Sequence, residues 1–472
     1  MSLFSDSIGL YTDYYELTMS CGYFRFGRHQ EQAVFDYFFR TNPFDNGFTV
    51  FAGLRDLLDF VQHFRFSEED LYYLSKQGFT HDFIDYLSGF SFTGRIESVE
   101  EGEIVFPGTP LLKVSGNLIE TQLIESLVLN VLNFQSLVAT KAFRIRQAAG
   151  KRLFSEFGLR RAQGLGAMMA SRAACIGGAD STSNVMAAKK YDIPPSGTQA
   201  HSWIQSFPDE LKAFRSFAEI HGESTILLVD TYDTLHSGIP NAIATAREME
   251  SRGIRLKAIR LDSGDLAYLS KKARQMLDKA GLTYVKIVVS NQLNEEVIRS
   301  LLQEQNAPID AFGVGTELVS GKPDAALDGV YKLSEIDGIP KMKISENVQK
   351  ITLPGNKQVV RFYDSEGFFF RDGIFLESET LSGELVIHHP VFPEKQTNVG
   401  GLKQEVLLHP VFENGHSLIP QKTPGEIYGF LKERIARLPV EHQRFIRPHL
   451  YKVGISGDLL NLRNNILGKY KK

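Results

Sequence analysis

The stretch Gly197-Thr198-Gln199-Ala200-His201-Ser202 sets a histidine behind a glycine turn, just past the apolar-to-polar break from Tyr191 to Ser196. A histidine so placed can be a nucleophile, a proton carrier or a ligand. Other apolar runs stop in a similar way. Phe157-Gly158-Leu159-Arg160-Arg161 offers an aromatic face and two guanidiniums, which match carboxylate or phosphate bidentately; the plainer alternative is a core phenylalanine with helix-surface arginines. The hydroxyl-rich segment from Gly177 to Asn184, with Asp180 inside it, is either an anion-binding helix start or a capped helix. Asp230-Thr231-Tyr232-Asp233-Thr234 carries two carboxylates, suited to Mg²⁺, ribose hydroxyls or a histidine tautomer, or else to N-capping by Asp233 or Thr234. In Arg260-Leu261-Asp262-Ser263-Gly264-Asp265 the strand period of two puts Arg260 and Asp262 on one side, and opposite charges aimed into one site are costly to bury without purpose. Phe312-Gly313-Val314-Gly315-Thr316 is a turn whose backbone amides could cradle phosphate.

Stops of this kind, at intervals of roughly 20–30 residues, are the cadence of a parallel α/β barrel with its chemistry at the strand ends. Seven candidate strands end near Phe157, Gly178, Pro194, Asp230, Asp262, Ser290 and Gly313, so an irregular or incomplete barrel is expected. TILLVD (225–230), LKAIRLD (256–262) and YVKIVVS (284–290) are continuously apolar, as strands covered on both faces are. Ahead of them, residues 33–40 read as a strand, 48–64 as helical, and 92–115 as short antiparallel strands broken by Glu-Gly, Pro-Gly and Ser-Gly. Residues 119–149 read as a long buried helical region. Beyond about residue 330 the alternation of apolar and polar residues returns, as in GVYKLSEIDGIPKMKIS and QKITLPGNKQVVRFYD. The resulting expectation is an α/β chain: a discontinuous α+β domain from 1–142 and 331–423, a barrel-like catalytic domain at 143–330, and a basic helical extension at 424–472.

Composition narrows the partners. A net charge of −4 over 472 residues argues against a nucleic-acid footprint. The two cysteines, Cys21 and Cys175, have no metal-type spacing and suggest no disulfide framework. No apolar run approaches a membrane span, and the N-terminus lacks a basic region followed by an apolar one. A cytoplasmic location, with no membrane partner, is expected.

Taken together, the motifs spell a family. LYTDYYELTM (10–19), FRTNPFDNGFTVFAGL (39–54), EGEIVFPGTPLLKVSG (101–116), FGLRRAQG (157–164), SRAACIGGADSTSN (171–184), GTQAHS (197–202), LLVDTYDT (227–234), RLDSGDL (260–266), FGVGTEL (312–318), YKLSEIDGIPKMKISE (331–346) and TLPGNKQVVR (352–361) occur in order. The chain therefore resembles the nicotinate phosphoribosyltransferases, enzymes of NAD salvage in the type II phosphoribosyltransferase class. The resemblance implies an irregular barrel beside a split α/β domain. It implies nicotinate and phosphoribosyl pyrophosphate as substrates, Mg²⁺, and ATP hydrolysed through a phosphohistidine. His201 would be the phosphorylated residue and Asp230 would orient its imidazole. Phe157 would stack on the pyridine ring, with Tyr15 of a neighbouring subunit covering the other face in a homodimer. Arg160 and Arg260 would bind carboxylate and phosphates. Asp262 would hold ribose or Mg²⁺, and Gly315 and Thr316 would cradle the 5′-phosphate. Asp180, Ser202 and Gly264 complete the expected substrate contacts. Ala200, where nicotinamide phosphoribosyltransferases carry an acidic residue before the histidine, favours nicotinate as substrate. The segment around 101–142 is also similar to quinolinate phosphoribosyltransferase, a shorter enzyme without the ATP-phosphorylated histidine. A catalytically dead binding paralogue is disfavoured by the intact His201, Asp230, Arg260 and Asp262. The paired acids of the type I phosphoribosyltransferase loop are missing from LLVDTYDTLHSG.

Overall fold

Continuous apolar strands and capped helices build the part of the chain that carries the motifs. In the computed structural model, which describes residues 7–345 and 352–470, contacts divide the chain into two units. Residues 349–351 of the QKITLPG run and Glu346, the last residue of the YKLSEIDGIPKMKISE stretch, lie outside the described residues.

One unit comprises Val138–Ala325 with Thr423–Gly425. Its sheet has six strands in the spatial order Ser181–Thr182, Leu153–Glu156, Ala311–Val314, Lys286–Ser290, Ala258–Leu261, Ile226–Leu228. Every pairing is parallel. The barrel is thus incomplete, as the motif count suggested. Two of the seven expected strand ends differ. Gly178 follows the helix Gly166–Ile176, which is mostly apolar and buried from Ala167 to Ile176, so the apolar run there is helical and the strand comes later, at Ser181–Thr182. Near Pro194 the chain makes only an isolated bridge between Thr182 and Pro195, since proline has no N–H with which to extend a ladder. Helices cross between the strands. Leu266–Lys279 starts at Asp265, whose side chain accepts from Tyr268 N at 2.9 Å, and buries Ala267, Ser270, Ala273 and Leu277 at helical spacing.

The other unit comprises Met1–Leu137, Ala326–Lys422 and Glu426–Lys472. A seven-stranded antiparallel sheet joins distant segments: Gly329–Ile336 pairs with Gln32–Phe39, which pairs with Leu112–Asn117, followed by Arg95–Ser98 and His409–Glu413. A second, six-stranded sheet contains Val386–His388, Val453–Ser456, Phe369–Leu376 and Lys357–Tyr363. The C-terminal segment contributes a strand to this sheet, between the helices Pro424–Arg437 and Gly457–Tyr470. At its heart the Arg361 guanidinium is fully buried against Asp372 at 2.8 Å and Glu103 at 2.6 Å, and Arg434 reaches Glu103 at 2.8 Å.

The long apolar region forms helices Leu118–Leu123 and Glu125–Ala149. By length and composition Leu118–Ala149 passes for a membrane span, contrary to the sequence expectation, but 72% of its most apolar window is buried inside the protein. It is therefore read as core.

Candidate active site at the strand ends

The carboxyl ends of a parallel sheet gather side chains from residues far apart in sequence. Here Arg260, the third residue of the strand Ala258–Leu261, is the hub. Its side chain is 14% exposed. Nε donates to Ser290 Oγ at 2.9 Å, Nη1 to Thr198 Oγ1 at 2.9 Å and Nη2 to Asp262 Oδ1 at 2.8 Å. Ser290 Oγ also donates to Asp262 Oδ1, which closes a ring of contacts around one carboxylate. The guanidinium lies 5.8 Å from the centroid of the Phe157 ring. A planar cation beside an aromatic face makes a slot for a flat, electron-poor or anionic ring.

Phe157 is held by its own backbone. Its N–H donates to Val314 O at 2.7 Å, continuing the pairing of Leu153–Glu156 with Ala311–Val314. The ring fits only because position 313 is glycine: a Cβ there would stand 2.5 Å from two ring carbons. Glu156, fully buried just before Phe157, accepts from Gly158 N, from Ser171 Oγ at 2.9 Å and from Thr182 Oγ1 at 2.5 Å. It pins the turn that presents the ring.

His201 opens the short helix His201–Gln205 and is 41% exposed at its side chain. Nδ1 lies 3.1 Å from Thr231 Oγ1, and Nε2 lies 4.0 Å from Asp262 Oδ2. The orienting contact expected of Asp230 therefore belongs to its neighbour. Asp230 Oδ2 accepts from Asp262 N at 2.8 Å and Ser263 Oγ at 2.7 Å, which leaves that oxygen turned to the next strand end; Oδ1 is buried with no hydrogen-bond partner. Asp233 takes the plain alternative, capping by accepting from Leu235 N and His236 N.

The remaining expected residues fall as follows. Arg160 is exposed in the turn after Phe157 and has no ion pair among the described residues. Ser202 is exposed beside His201, and Gly264, with φ +75°, bends the chain after Asp262. Gly315 and the exposed Thr316 start the four-residue helix Thr316–Val319 at the end of the strand Ala311–Val314. Asp180 requires a correction. It pairs with Arg146 at 2.5 Å and accepts from Phe154 N at 2.8 Å, at the start of the strand whose far end carries Phe157. Its carboxylate is committed to a structural contact at the wrong end of the sheet. The segment around it reads as a capped helix, with Asn184 accepting from Ala187 N. Tyr15 lies in the other unit, exposed on helix Tyr14–Arg25, next to the buried Glu16.

Sequence reasoning missed Thr198, Thr231, Ser290 and Glu156 as positioning groups. Thr198 and Thr231 stood inside quoted motifs but carried no charge to draw notice, and Glu156 was signalled only by an acid in an apolar strand.

The family models and the curated relatives agree on one family. Residues 10–133 match the nicotinate phosphoribosyltransferase N-terminal domain, 153–381 the nicotinate phosphoribosyltransferase family, and 356–463 its C-terminal domain. A nicotinate phosphoribosyltransferase of Bacillus subtilis is 44% identical over 96% of this chain and 94% of its own. One from Caenorhabditis elegans is 39% identical over 95% and 91%. The crystal structure of human nicotinic acid phosphoribosyltransferase superposes with a TM-score of 0.86 at 32% identity, covering 96% of this chain and 99% of that one.

Proposed function

The chain belongs to the nicotinate phosphoribosyltransferase family, and from that premise we propose that it joins the ring nitrogen of nicotinate to C1 of phosphoribosyl pyrophosphate, coupled to ATP hydrolysis through His201. The products are nicotinate mononucleotide, pyrophosphate, ADP and phosphate. The observation that carries this reading is the slot formed by Phe157 and the Arg260 guanidinium, bordered by Asp262 and His201.

Nicotinate is a flat ring with a carboxylate. The ring stacks on Phe157, and its carboxylate meets the cations Arg260 and Arg160. The ring nitrogen is already nucleophilic, so the step needs no strong base. The barrier lies in breaking the C1–pyrophosphate bond, which leaves C1 electron-poor. Carboxylates near the ribose stabilise that charge, and Asp262, held rigid by Arg260 and Ser290, is the group for it. The 5′-phosphate is taken by the amides at Gly315 and Thr316.

The His201 contacts suit phosphoryl transfer. With Nδ1–H donating to Thr231 Oγ1, Nε2 bears the lone pair. Nε2 bonds to the γ-phosphorus of ATP as the β–γ bridging bond breaks, ADP leaves, and water later hydrolyses the phosphohistidine. The oxygen donors here fit Mg²⁺: Asp262 Oδ2 and the unpartnered Oδ1 of Asp230 would hold it with substrate phosphates, where it would supply charge neutralisation on the leaving pyrophosphate. We further propose a cytoplasmic homodimer in which the partner subunit's Tyr15 covers the second face of the pyridine ring.

Purified protein is expected to consume nicotinate and phosphoribosyl pyrophosphate with ATP hydrolysed in step. Nicotinamide and quinolinate assayed side by side should turn over far more slowly; equal or better use of nicotinamide overturns the substrate assignment. His201→Asn is expected to keep basal transfer and lose ATP stimulation, and ATP-dependent ³²P labelling that persists in that variant removes His201 from its role.

A further inference from the structure

The unit built from the N- and C-terminal segments holds a cavity of about 1850 Å³. One part of its wall comes from the second sheet and the helix Gly457–Tyr470, and it carries two guanidiniums that no carboxylate pairs among the described residues. Arg371 is half-buried in the strand Phe369–Leu376. Its Nη1 donates to Phe370 O at 2.6 Å, and its buried Nε has no partner. Arg463 repeats the pattern: Nη1 donates to Pro390 O at 2.5 Å, and Nε is again buried and unpartnered. Neither pairs with a carboxylate among the described residues, and burial lowers the pKa of both. Lys452 stands beside Arg371, because Asp372 N donates to Lys452 O across paired strands. Lys395, over the Phe392 ring, opens onto the same space. His389 accepts from Val391 N and Phe392 N through Nδ1 at 3.0 and 3.1 Å, so its proton sits on Nε2 and the ring is a donor.

The carboxylates on the wall do not pair with the two guanidiniums, and the charge of Glu394 acts on His389. Asp36 is paired with Lys357 at 2.8 Å and Asp328 with Arg40 at 3.5 Å; Glu394 is exposed. Half-burying two guanidiniums without a counter-ion is unfavourable, and an anion with several oxygens offsets it through bidentate contacts. We propose that Arg371 and Arg463, with Lys395, Lys452 and His389, form a second anion site that takes a phosphorylated ligand of the pyrophosphate type. The site makes no use of His201 or Arg260, so it stands whether or not the reaction assigned to them is right.

The test is calorimetric titration of the full chain with inorganic pyrophosphate. In an Arg260→Ala background, which strips anion contacts from the strand-end site, one pyrophosphate per chain is expected to bind still. Adding Arg371→Met and Arg463→Met should abolish that binding. Should the methionine pair fail to fold, Arg371→Lys with Arg463→Lys keeps the charge but not the fork, and binding should weaken about 10-fold or more. In the otherwise unaltered chain, the pair of substitutions should leave kcat and the nicotinate KM unchanged. ATP titrated in parallel identifies the source: affinity above that of pyrophosphate assigns a nucleotide, and affinity at or below it assigns free pyrophosphate. No binding to the Arg260→Ala protein, or unchanged affinity in the folded double variant, overturns the site.

Discussion

Gly313→Ala isolates the role of the Phe157 ring with a single methyl group. The added Cβ would lie 2.5 Å from both Cδ2 and Cε2 of Phe157 and 3.3 Å from Ser290 Cβ. Carbon atoms rest at about 3.5–4.0 Å, so the ring must retreat by about 1 Å. Gly313 is not among the positive-φ glycines, so alanine adds no backbone strain and the effect is steric. Phe157 is half-buried with its outer edge at the site, so it can swing rather than compress the core. The loss then falls on stacking, worth about 0.5–1.5 kcal/mol beyond buried area, or about 2- to 10-fold in affinity. Steady-state kinetics with nicotinate varied at saturating phosphoribosyl pyrophosphate should show the nicotinate KM rising by that factor. The KM for phosphoribosyl pyrophosphate should change less. An unchanged nicotinate KM, or an equal rise for both substrates, would refute the placement of nicotinate on Phe157.

Three further outcomes are expected. Thr231→Val removes the His201 Nδ1 contact, worth about 0.5–1.5 kcal/mol, and should slow ATP-dependent labelling of His201 more than Asp230→Asn does; Asp230→Asn should act mainly on use of phosphoribosyl pyrophosphate, and the reverse order would refute the exchange of roles. Arg361→Leu leaves Asp372 buried without an ion pair and Glu103 with Arg434 alone, a loss of about 3–5 kcal/mol that a thermal melt should register; an unaltered Tm counts against it. Glu16, buried against Ser126 and Thr12, has its pKa pushed up to about 7 by burial. A carboxyl raised in the folded state holds its proton more tightly there, so its contribution is complete below its unfolded value near 4.5 and is lost as pH rises through about 7. Wild-type unfolding free energy should therefore fall relative to Glu16→Gln between pH 5 and pH 8, by about 1.4 kcal/mol for each tenfold tightening of proton binding on folding, and a constant gap would exclude Glu16 as the cause.

Much of the fold was legible because burial on both faces leaves a local trace. Ala258–Leu261, Lys286–Ser290 and Ala311–Val314 are central strands, and each shows as a mostly apolar run without the polar alternation of a half-exposed strand. Asp265 caps the helix Leu266–Lys279 with its side chain, as its residue type allows, whereas Asp13 precedes the helix Tyr14–Arg25 without a side-chain cap bond. The two-residue strand Ser181–Thr182 has no such trace: hydroxyls pair there because Leu153–Glu156 lies alongside, which is a tertiary fact. The apolar run before Gly178 misled for a related reason, since a fully buried helix and a fully buried strand both lack polar periodicity and both can stop at glycine. Nor does any local pattern show that residues 453–456, between two helices, complete a sheet that begins with the strand Lys357–Tyr363.

At the site, charge drew the eye to the right loop and the wrong atom. Asp230 and Thr231 are adjacent where the strand Ile226–Leu228 gives way to loop, so their side chains leave the backbone in different directions. One faces the neighbouring strand end and the other faces His201. The carboxylate goes where backbone and hydroxyl donors need a strong acceptor, at Asp262 N and Ser263 Oγ, and it thereby fixes the loop that carries Asp262. The hydroxyl goes to the imidazole, a neutral contact that adds no negative charge beside the group proposed to meet the phosphates of ATP. Under the proposed reaction a carboxylate in that place would add to the repulsion of the γ-phosphate, since Asp262 already stands 4.0 Å from Nε2. The neutral partner for His201 suits the phosphoryl transfer proposed for it, and it is the choice that a search for charged residues passes over.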